Sequence, residues 1–497
     1  MNADGKSDES IVPSTQMNNA DAESVAESAE ERGSAKRNID QHDLSRTPSR
    51  NKRRSLGLAG VREAARNNSE LKFTALLHHI NEDLLHAAFF DLKKNAAVGV
   101  DEVTWHDYEL DLEDRITDLH GRIHRGSYRA KPSKRIYLPK PDGRKRPIGI
   151  ASLEDKLVQK AVVWVLQCIY EQDFLDFSYG YRPGKSQHNA LDALSVALTR
   201  KKVNWVLDAD LEGFFDTLDH EWLIKFLEHR IGDKRILHLI RKWLRAGISD
   251  EGEWSASTVG TPQGAVVSPL LSNVFLHYVL DLWIQWWRSK RGRGDIVVVR
   301  YADDFVIGFE HKYEAEACLE ELRARLAKFG LKFNDKKTRL IEFGRFAADR
   351  RRTRGESRPE TFDFLGFTHR CGVTRLNGRF TVHRATIAKR LRATLASIKQ
   401  KLHHRRHWSI GSVGRWLARV MRGWLGYHAI PGNMVRMQQF RDELAKLWLS
   451  VLRRRSQRSN WTWSRMHALV RHALPPLKIL HPYPGDRFRA RLEAGAV

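Results

Sequence analysis

Adjacent carboxylates at Asp303 and Asp304 stand between two strongly apolar segments, and a third carboxylate, Asp210, ends a similar segment upstream. The apolar segments, residues 296–299 and 305–307, are rich in β-branched residues and predict two short strands joined by a turn. Like charges side by side at a buried turn are unfavourable unless a cation faces them, and a divalent ion is the usual solution. Phosphoryl transfer by two Mg²⁺ ions requires such neighbouring carboxylates. The sequence therefore predicts a polymerase site with these three catalytic metal ligands.

Five further residues fit a nucleotide-binding site around these carboxylates. Phe215 follows Asp210 by five residues, where a ring could exclude a ribose 2′-hydroxyl, although it also fits an ordinary core position. The glycine-flanked loop at 260–265 contains Gln263, whose amide side chain could contact a base pair or sugar. Lys140 and Arg146, beside the turn at 141–143, could close over a triphosphate, although they also fit a solvated surface. Lys337 could donate a proton to pyrophosphate. The predicted dNTP-binding residues are Lys140, Arg146, Phe215, Gln263 and Lys337.

The charge is concentrated in the last quarter of the chain. The chain has 85 Lys and Arg against 60 Asp and Glu, a net charge of +25, and residues 375–497 contain 26 basic and 4 acidic residues. Such asymmetry indicates a polyanionic partner, and arginines interleaved with tryptophans favour phosphate contact with base stacking. Most of these tryptophans at helical spacing also fit a core. The predicted nucleic-acid contacts in this quarter are Arg415, Arg419, Arg422, Arg453, Arg454 and Arg455.

Several protein classes are disfavoured by composition. No run of about 18 apolar residues is present, which argues against a membrane span and a membrane partner. The first residues include acidic side chains and no apolar signal segment. The three cysteines, Cys168, Cys318 and Cys371, have no paired metal-binding spacing. This cysteine usage indicates a reducing, cytoplasmic compartment.

The pattern along the chain predicts an α+β protein. Residues 1–68 are polar and are expected to be disordered. Residues 98–370 alternate helical and strand patterns, including a hairpin around the Pro-Asp-Gly turn at 141–143. From residue 387 the pattern becomes almost wholly helical, and prolines at 475–476 and within 482–484 break helix near the end.

The order of these motifs resembles bacterial group II intron-encoded reverse transcriptases, also called maturases. The resemblance covers roughly residues 70–490. Its motifs include Leu138–Gly143 with Arg146–Ile150, the family-specific segment Ser178–Ser186, Asp210–Asp216, Gly260–Asn273, Tyr301–Asp304 and Phe362–Phe367. Towards the end of the chain, Gly423–Tyr427 and Ile479–Pro484 also fit the family.

The resemblance implies a right-hand polymerase. Residues 69–372 would form fingers and palm, residues 373–455 a helical thumb (the maturase or X domain), and residues 456–497 a short DNA-binding region. Asp210, Asp303 and Asp304, with the Leu211 carbonyl, would bind two Mg²⁺ ions. Arg182, within the family-specific segment, is predicted to contact nucleic acid. The partners would be group II intron RNA, target DNA with its primer, and dNTPs, and the protein would be a bacterial cytoplasmic one, associated with the nucleoid as a ribonucleoprotein. An HNH endonuclease segment is not expected.

Three other functions remain open at this stage. The chain could be an RNA-binding splicing cofactor whose polymerase is dispensable, although the intact carboxylates argue against decay. It could be an RNA-templated RNA polymerase, which Phe215 opposes. It could also be a domesticated or defence-associated reverse transcriptase, against which the maturase-like thumb argues.

Overall fold

The structure is a computed structural model that describes residues 57–139, 145–250, 253–255, 260, 264–374, 377–457 and 459–487. Helices and strands are mixed along these residues, which confirms the predicted α+β class. None of the helices in these ranges is long and apolar enough to cross a bilayer.

The described residues form seventeen α-helices and eleven strands. The helices are α1 (Ala59–Asn67), α2 (Glu82–Asp91), α3 (Trp105–Glu109), α4 (Leu112–His124), α5 (Leu153–Asp173), α6 (Gln187–Arg200), α7 (Phe214–Thr217), α8 (His220–Arg230), α9 (Lys234–Arg245), α10 (Ser268–Leu276), α11 (Leu282–Lys290), α12 (Lys312–Lys328), α13 (Ala347–Thr353), α14 (Ala388–His404), α15 (Ile410–His428), α16 (Met434–Arg453) and α17 (Trp463–Ala473). The strands are β1 (Ser133–Pro139), β2 (Lys145–Ile150), β3 (Trp205–Asp210), β4 (Ile248–Asp250), β5 (Glu253–Ser255), β6 (Ile296–Tyr301), β7 (Asp304–Phe309), β8 (Arg339–Glu342), β9 (Phe362–Phe364), β10 (Phe367–Val373) and β11 (Phe380–Thr386).

The predicted hairpin around residue 141 is present as the antiparallel pair β1 and β2. These strands belong to a four-stranded sheet with the order β2-β1-β4-β5. Helix α8 is capped at its start, because the Asp219 side chain accepts a hydrogen bond from the Trp222 N–H at 2.9 Å.

The sheet that carries the carboxylates has the strand order β6-β7-β3-β8, with antiparallel neighbours throughout. Both of its faces are covered, which explains the uninterrupted β-branched segment in β6. Val298 and Ile307 belong to the largest core on one face, whereas Val297 and Val306 face a second core. Helix α6 and the three-stranded sheet β11-β10-β9 contribute to this second core. Asp210 and Asp304 belong to the same face as Val306, because strand residues alternate between faces.

A distortion interrupts the long helical segment behind this sheet. Helices α10 and α11 are joined by a π-helical segment, His277–Asp281, so the chain stays helical from Ser268 to Lys290. Such π-helical insertions are frequent at functional sites. Asp281, the last residue of this insertion, is fully buried and faces the 301–304 turn through Arg300.

Helices α14 to α17 form a helical unit with its own hydrophobic core. Leu402, Met421, Trp448 and Met466 lie in this core, so the helical pattern predicted after residue 387 is present. Trp424 and Trp448 are buried, whereas the rings of Trp408 and Trp463 remain exposed. The tryptophans therefore divide between packing and surface positions.

Three expected segment boundaries differ from the structure. Helix α1 lies within the expected disordered segment 1–68, because Val61 and Ala65 form an apolar stripe buried against the core. The boundary at residue 373 falls at the end of β10, which is paired with β11 along its length. The boundary at residue 456 separates α17 from the helical unit, although Met466 and Val470 are buried in that unit's core.

The segment after α17 packs against both the sheet layer and the helical unit. The Leu480 and His481 N–H groups donate to the Ala429 carbonyl at the end of α15. The His481 ring stacks on His188 of α6, with ring centroids 3.8 Å apart. Arg487 forms an ion pair with the buried Asp192 of α6 at 3.0 Å. These contacts tie residues 480–487 to two elements remote in sequence.

Candidate active site

The antiparallel pairing of β3 and β7 brings the predicted carboxylates together. Asp210 lies directly opposite Asp304 in the register of these strands. Asp303 lies in the two-residue turn between β6 and β7. Ala302, the first turn residue, has a φ of +59°. This left-handed conformation is uncommon for alanine, and such conformations concentrate at functional sites where the surroundings enforce them. The three carboxylates therefore share one end of the sheet.

The fully buried guanidinium of Arg300 contacts this turn from the interior of the protein. The Arg300 Nη1 donates to the Ala302 carbonyl at 2.9 Å and to Asn273 Oδ1 at 3.1 Å. Its Nε donates to Asp281 Oδ1 at 2.7 Å, and its Nη2 donates to Asp281 Oδ2 and to Ser178 Oγ. An arginine beneath the turn can satisfy several acceptors at fixed angles because its donors are planar. Arg300 therefore couples the conformation of Ala302 to a rigid ion pair.

The other side of the turn rests against a glycine. A Cβ added to Gly180 would lie 2.3 Å from the Ala302 nitrogen, a distance that no side chain tolerates. The Gly180 carbonyl accepts from Asn273 Nδ2 at 2.7 Å, so this contact and the Arg300 network share one amide side chain. Gly180 therefore permits the close approach that confines the turn.

Asp210 contacts two side chains from the segment before β8. Lys337 Nζ lies 2.8 Å from Asp210 Oδ2, and Asn334 Nδ2 donates to the same oxygen at 3.2 Å. The Asn334 N–H also donates to the Asp210 carbonyl at 2.8 Å. The structure therefore places Lys337 at the carboxylates, as an ion-pair partner of Asp210.

The carboxylates destabilise one another's charged forms. Burial, followed by the negative charges of Asp208, Asp303 and Asp210, raises the pKa of Asp304 to about 8. Burial also raises the pKa of Asp303; Asp210 adds to this rise, whereas the positive charges of Arg146 and Lys337 oppose it. Additional positive charge near this group would relieve the repulsion.

The donor set fits a divalent cation, although it is not a preformed cage. In the described ranges, no three acidic, histidine or cysteine side chains already converge as metal ligands. Hard oxygen ligands at the ends of paired strands nevertheless match what Mg²⁺ prefers, and this ion often takes only one or two carboxylates with substrate phosphates. Leu211, whose carbonyl is in the predicted set, follows Asp210 directly, and its side chain is buried.

Asp208 is a nearby carboxylate that the sequence analysis did not select. It lies two residues before Asp210 on β3 and is opposite Arg339 of β8, whose Nη2 is 3.5 Å from Asp208 Oδ2. The signal was available, because residues two apart on a strand share a face. Burial raises the pKa of Asp208 to about 6, and Arg339 only partly offsets this rise. Asp208 also lies two residues further from the end of the sheet than Asp210.

Two of the predicted nucleotide-site residues lie around this end of the sheet. Phe215 is the second residue of α7, whose N-cap, Gly213, follows Asp210 by three residues, and its ring is partly buried. Arg146 is exposed on β2 and is close enough to Asp303 to lower the pKa of that carboxyl. The predicted residues Lys140 and Gln263 lie outside the described residues.

The two described glycines of the 260–265 loop connect these elements. A Cβ on Gly260 would meet the Phe215 carbonyl at 2.8 Å, and a Cβ on Gly264 would meet Ile148 of β2 at 2.7 Å. Gly260 and Gly264 have φ values of +84° and +111°, which side chains rarely adopt. Both ends of this loop therefore approach the backbone of their neighbours closely.

Arg182, which was predicted to contact nucleic acid, has a buried side chain. Its side chain is 5% exposed and forms an ion pair with Glu171 at 3.0 Å. Its Nη1 donates to the carbonyls of Leu175 and Ser178. Arg182 is therefore a structural residue that orders the segment leading to Gly180.

The predicted thumb arginines divide between surface and packing roles. Arg415, Arg419 and Arg422 are exposed at helical spacing on one side of α15. Arg454 is exposed, and Arg453 is exposed while donating to the Trp461 carbonyl at 2.9 Å. Arg455 is partly buried and donates to the Trp408 carbonyl at 2.7 Å.

A four-stranded antiparallel sheet with carboxylates at the end of its central strands matches the palm of nucleic-acid polymerases. Residues 138–369 match the family described as reverse transcriptase (RNA-dependent DNA polymerase). Protein YkfC of Escherichia coli is 33% identical over 310 residues, which are 56% of this chain and 81% of YkfC. The chain therefore belongs to the reverse transcriptase family.

Other relatives connect this family to introns. The group II intron-encoded protein LtrA of Lactococcus lactis is 31% identical over 242 residues, 48% of this chain and 40% of LtrA. Nuclear intron maturase 4 of Arabidopsis thaliana is 23% identical over 225 residues, 42% of this chain and 28% of the maturase. The chain spans less than half the length of these two relatives. The predicted resemblance to group II intron-encoded reverse transcriptases is confirmed, as is the predicted class of RNA-directed DNA polymerases.

Proposed function

We propose that this protein copies group II intron RNA into DNA and binds that RNA to assist splicing and mobility. The observation that carries the proposal is the meeting of Asp210, Asp303 and Asp304 at one end of the palm sheet. The names of its relatives, an intron-encoded protein and an intron maturase, support the intron RNA as partner. Target DNA with its primer and dNTPs would complete the substrates, and we expect a ribonucleoprotein in the bacterial cytoplasm.

Asp210, Asp303, Asp304 and the Leu211 carbonyl would hold the Mg²⁺ that reverse transcriptases generally use. Two bound Mg²⁺ ions would activate the primer 3′-hydroxyl and neutralise charge on the departing pyrophosphate. Burial and the repulsion between carboxylates raise the pKa of Asp304, and this supports the assignment because a divalent ion would offset both effects.

The remaining site residues would bind and select the nucleotide. Arg146 is exposed on β2, and its positive charge acts on Asp303. Together with Lys140, it would contact the triphosphate. Phe215 at the start of α7 would pack against the sugar and exclude a 2′-hydroxyl, and Gln263 would contact the nascent pair. Lys337 would exchange its Asp210 partner for the negative charge of the triphosphate and deliver a proton to pyrophosphate.

The helical unit α14–α17 would act as the thumb and maturase domain. The exposed residues Arg415, Arg419 and Arg422 of α15, with Arg453 and Arg454, would follow phosphates of the RNA or the primer–template duplex. Residues 456–497 would add a short DNA-binding region, to which the exposed Trp463 could contribute stacking.

The test is primer extension on an RNA template by an Asp303→Ala variant. We expect loss of extension by at least about a thousandfold, because removing a metal ligand removes charge stabilisation in the transition state. Asp442→Ala, which removes an exposed carboxylate from α16, is the matched control and should extend normally. A splicing assay on the same variants separates synthesis from RNA binding. Extension that survives Asp303→Ala would refute the assignment of the site.

A further inference from the structure

The end of the palm sheet opposite the carboxylates gathers four chain segments. Trp205 at the start of β3 pairs with Phe309 at the end of β7 and with Glu342 at the end of β8, while Ile296 starts β6 opposite Phe309. Because the strands are antiparallel, residues 199–204, 288–295, 310–313 and 343–354 all lie at this end. The six-residue strand β3 separates it from Asp210 by roughly 17 Å.

Hydrogen bonds join these segments into one surface. Asn204 Nδ2 donates to the Glu310 carbonyl at 2.9 Å, and the Lys202 N–H donates to Asp295 Oδ2 at 3.0 Å. Arg345 Nη2 donates to the Thr199 carbonyl at 3.1 Å. The segments are therefore held next to one another and form a continuous edge.

This edge is strongly basic. The four segments contain 13 Lys and Arg but only 3 Asp and Glu. Six of these residues, all exposed, form the distal basic surface: Arg200, Lys202, Arg291, Arg293, Arg345 and Arg350. Their neighbours Lys201, Lys312 and Arg352 are ion-paired with carboxylates. In the described part of the chain, no such pair is formed by the six residues of the distal basic surface.

Exposed aromatic rings accompany the positive charges. Tyr313, at the end of the 310–313 segment, is 56% exposed, and Phe346 is 48% exposed. The Arg350 guanidinium lies 5.8 Å from the centre of the Phe346 ring. Unpaired like charges repel one another on a protein surface, and a polyanion relieves this repulsion. Arginines beside exposed rings suit phosphates together with unstacked bases.

We propose that the distal basic surface binds a structured segment of RNA, at a site separate from the catalytic carboxylates. A protein that copies a long RNA places only a few template nucleotides at the palm carboxylates, so the remaining RNA needs another surface. The arginines would contact phosphates, and Tyr313 and Phe346 would stack on loop bases. This proposal rests on the RNA-binding part of the proposed function, for which it names a surface, and it does not depend on DNA synthesis.

The test measures binding of a labelled stem-loop RNA that carries no primer, in the presence of saturating primer–template duplex. The variants are Arg291→Ala/Arg293→Ala and Arg345→Ala/Arg350→Ala in the full-length protein. Arg62→Ala/Arg66→Ala is the matched control, because it removes two exposed arginines from α1, outside the distal basic surface. Affinity is measured over a series of KCl concentrations, and primer extension is measured separately.

We expect each distal pair to weaken stem-loop binding about tenfold and to lower the slope of log affinity against log salt by about 1.5, the value for two lost phosphate contacts. The control pair should change neither quantity, and extension on a short primer–template should stay at the wild-type level. Unchanged affinity and slope in both distal variants would overturn the proposal. Loss of affinity for a DNA duplex of equal length but not for the stem-loop would also overturn it. Because the assay reads binding, inactivity in extension would count only against the polymerase function.

Discussion

At the scale of single residues, Arg300 determines where the turn carboxylates stand. Its guanidinium bonds the Ala302 carbonyl directly and is itself fixed by Asp281, both side chains being fully buried. The left-handed φ of Ala302 is therefore held by a contact from inside the protein. Removing one partner of such a buried pair costs about 3–5 kcal/mol, whereas replacing both by apolar residues is often neutral.

This contrast leads to a prediction for Arg300→Met/Asp281→Leu. The double variant should fold with a stability close to that of the wild type but lose the hydrogen bond to the Ala302 carbonyl. We expect kcat for primer extension to fall about a hundredfold with an unchanged Kd for primer–template, because small displacements of catalytic groups have effects of this size. Hydrogen exchange of the peptide that contains residues 301–304 should accelerate. A folded double variant with normal kcat and normal exchange would show that Arg300 has no positioning role.

A second residue-scale prediction concerns sugar selection by Phe215. Phe215→Val shortens the side chain at the start of α7 and opens the space beside the proposed sugar site. Discrimination against ribonucleotides in primer extension should fall about 10- to 200-fold, the range that a shape-based pocket provides. Phe90→Val, at an exposed position on α2 outside both proposed sites, serves as the control. Unaltered discrimination in Phe215→Val would place the selecting group elsewhere.

At the scale of elements, strand β10 carries a histidine that couples folding to pH. His369 is fully buried, its ring is stacked on Phe362 at 4.8 Å, and burial together with the Arg384 charge lowers the pKa of His369 to about 3. The unfolded chain binds a proton near pH 6.5 that the folded chain excludes. The stabilisation is therefore complete above pH 6.5 and is lost as the pH falls towards 3.

The corresponding prediction compares urea unfolding at pH 7.5 and pH 5.0. His369 should account for about 2 kcal/mol of the loss of unfolding free energy between these pH values. The loss should therefore be about 2 kcal/mol smaller in His369→Gln, whatever the stability of that variant at pH 7.5. Exposed His403→Gln on α14 is the control. An equal loss in His369→Gln and wild type would show that His369 is not neutral in the fold.

The same scale shows what sequence patterns could predict. Asp210, Asp303 and Asp304 were predicted correctly as neighbours because β-branched segments define the strands, and the turn residues follow from them. The Arg300–Asp281 pair was missed because it joins a strand to a π-helical insertion. An arginine inside an otherwise apolar strand was the available signal.

The burial of Arg182 could not be predicted for a related reason. It follows Gly180 and precedes Pro183, which is typical of an exposed loop, but long-range contacts with Glu171 and two carbonyls bury it. Composition likewise indicated basic character only in the last quarter of the chain. The distal basic surface could not be predicted from the sequence, because its four segments are separated along the chain and meet only when the palm sheet forms.

At the scale of the whole molecule, positive charge lies on two separate regions. One is the exposed side of α15 with Arg415, Arg419 and Arg422, and the other is the distal basic surface of the palm. Each phosphate contact releases condensed counterions, so binding should weaken steeply with salt. The two regions make separable contributions if they hold different parts of the nucleic acid.

The thumb prediction uses a triple variant, Arg415→Ala/Arg419→Ala/Arg422→Ala. Its affinity for primer–template should fall, and the slope of log affinity against log salt should decrease by about 2–3. Fluorescence anisotropy over a KCl series measures both quantities. An unchanged slope would indicate that this side of α15 faces solvent in the complex.

The most direct test of the central claim is the number of Mn²⁺ ions bound by the complex of protein, primer–template and a non-hydrolysable dNTP, counted by electron paramagnetic resonance. Manganese replaces magnesium at carboxylate sites and is paramagnetic, so bound ions can be counted. We predict two ions for the wild type and fewer for Asp210→Asn and for Asp303→Asn, with Asp442→Asn unchanged. Two bound ions in both active-site variants would contradict the claim that these palm carboxylates hold the metals.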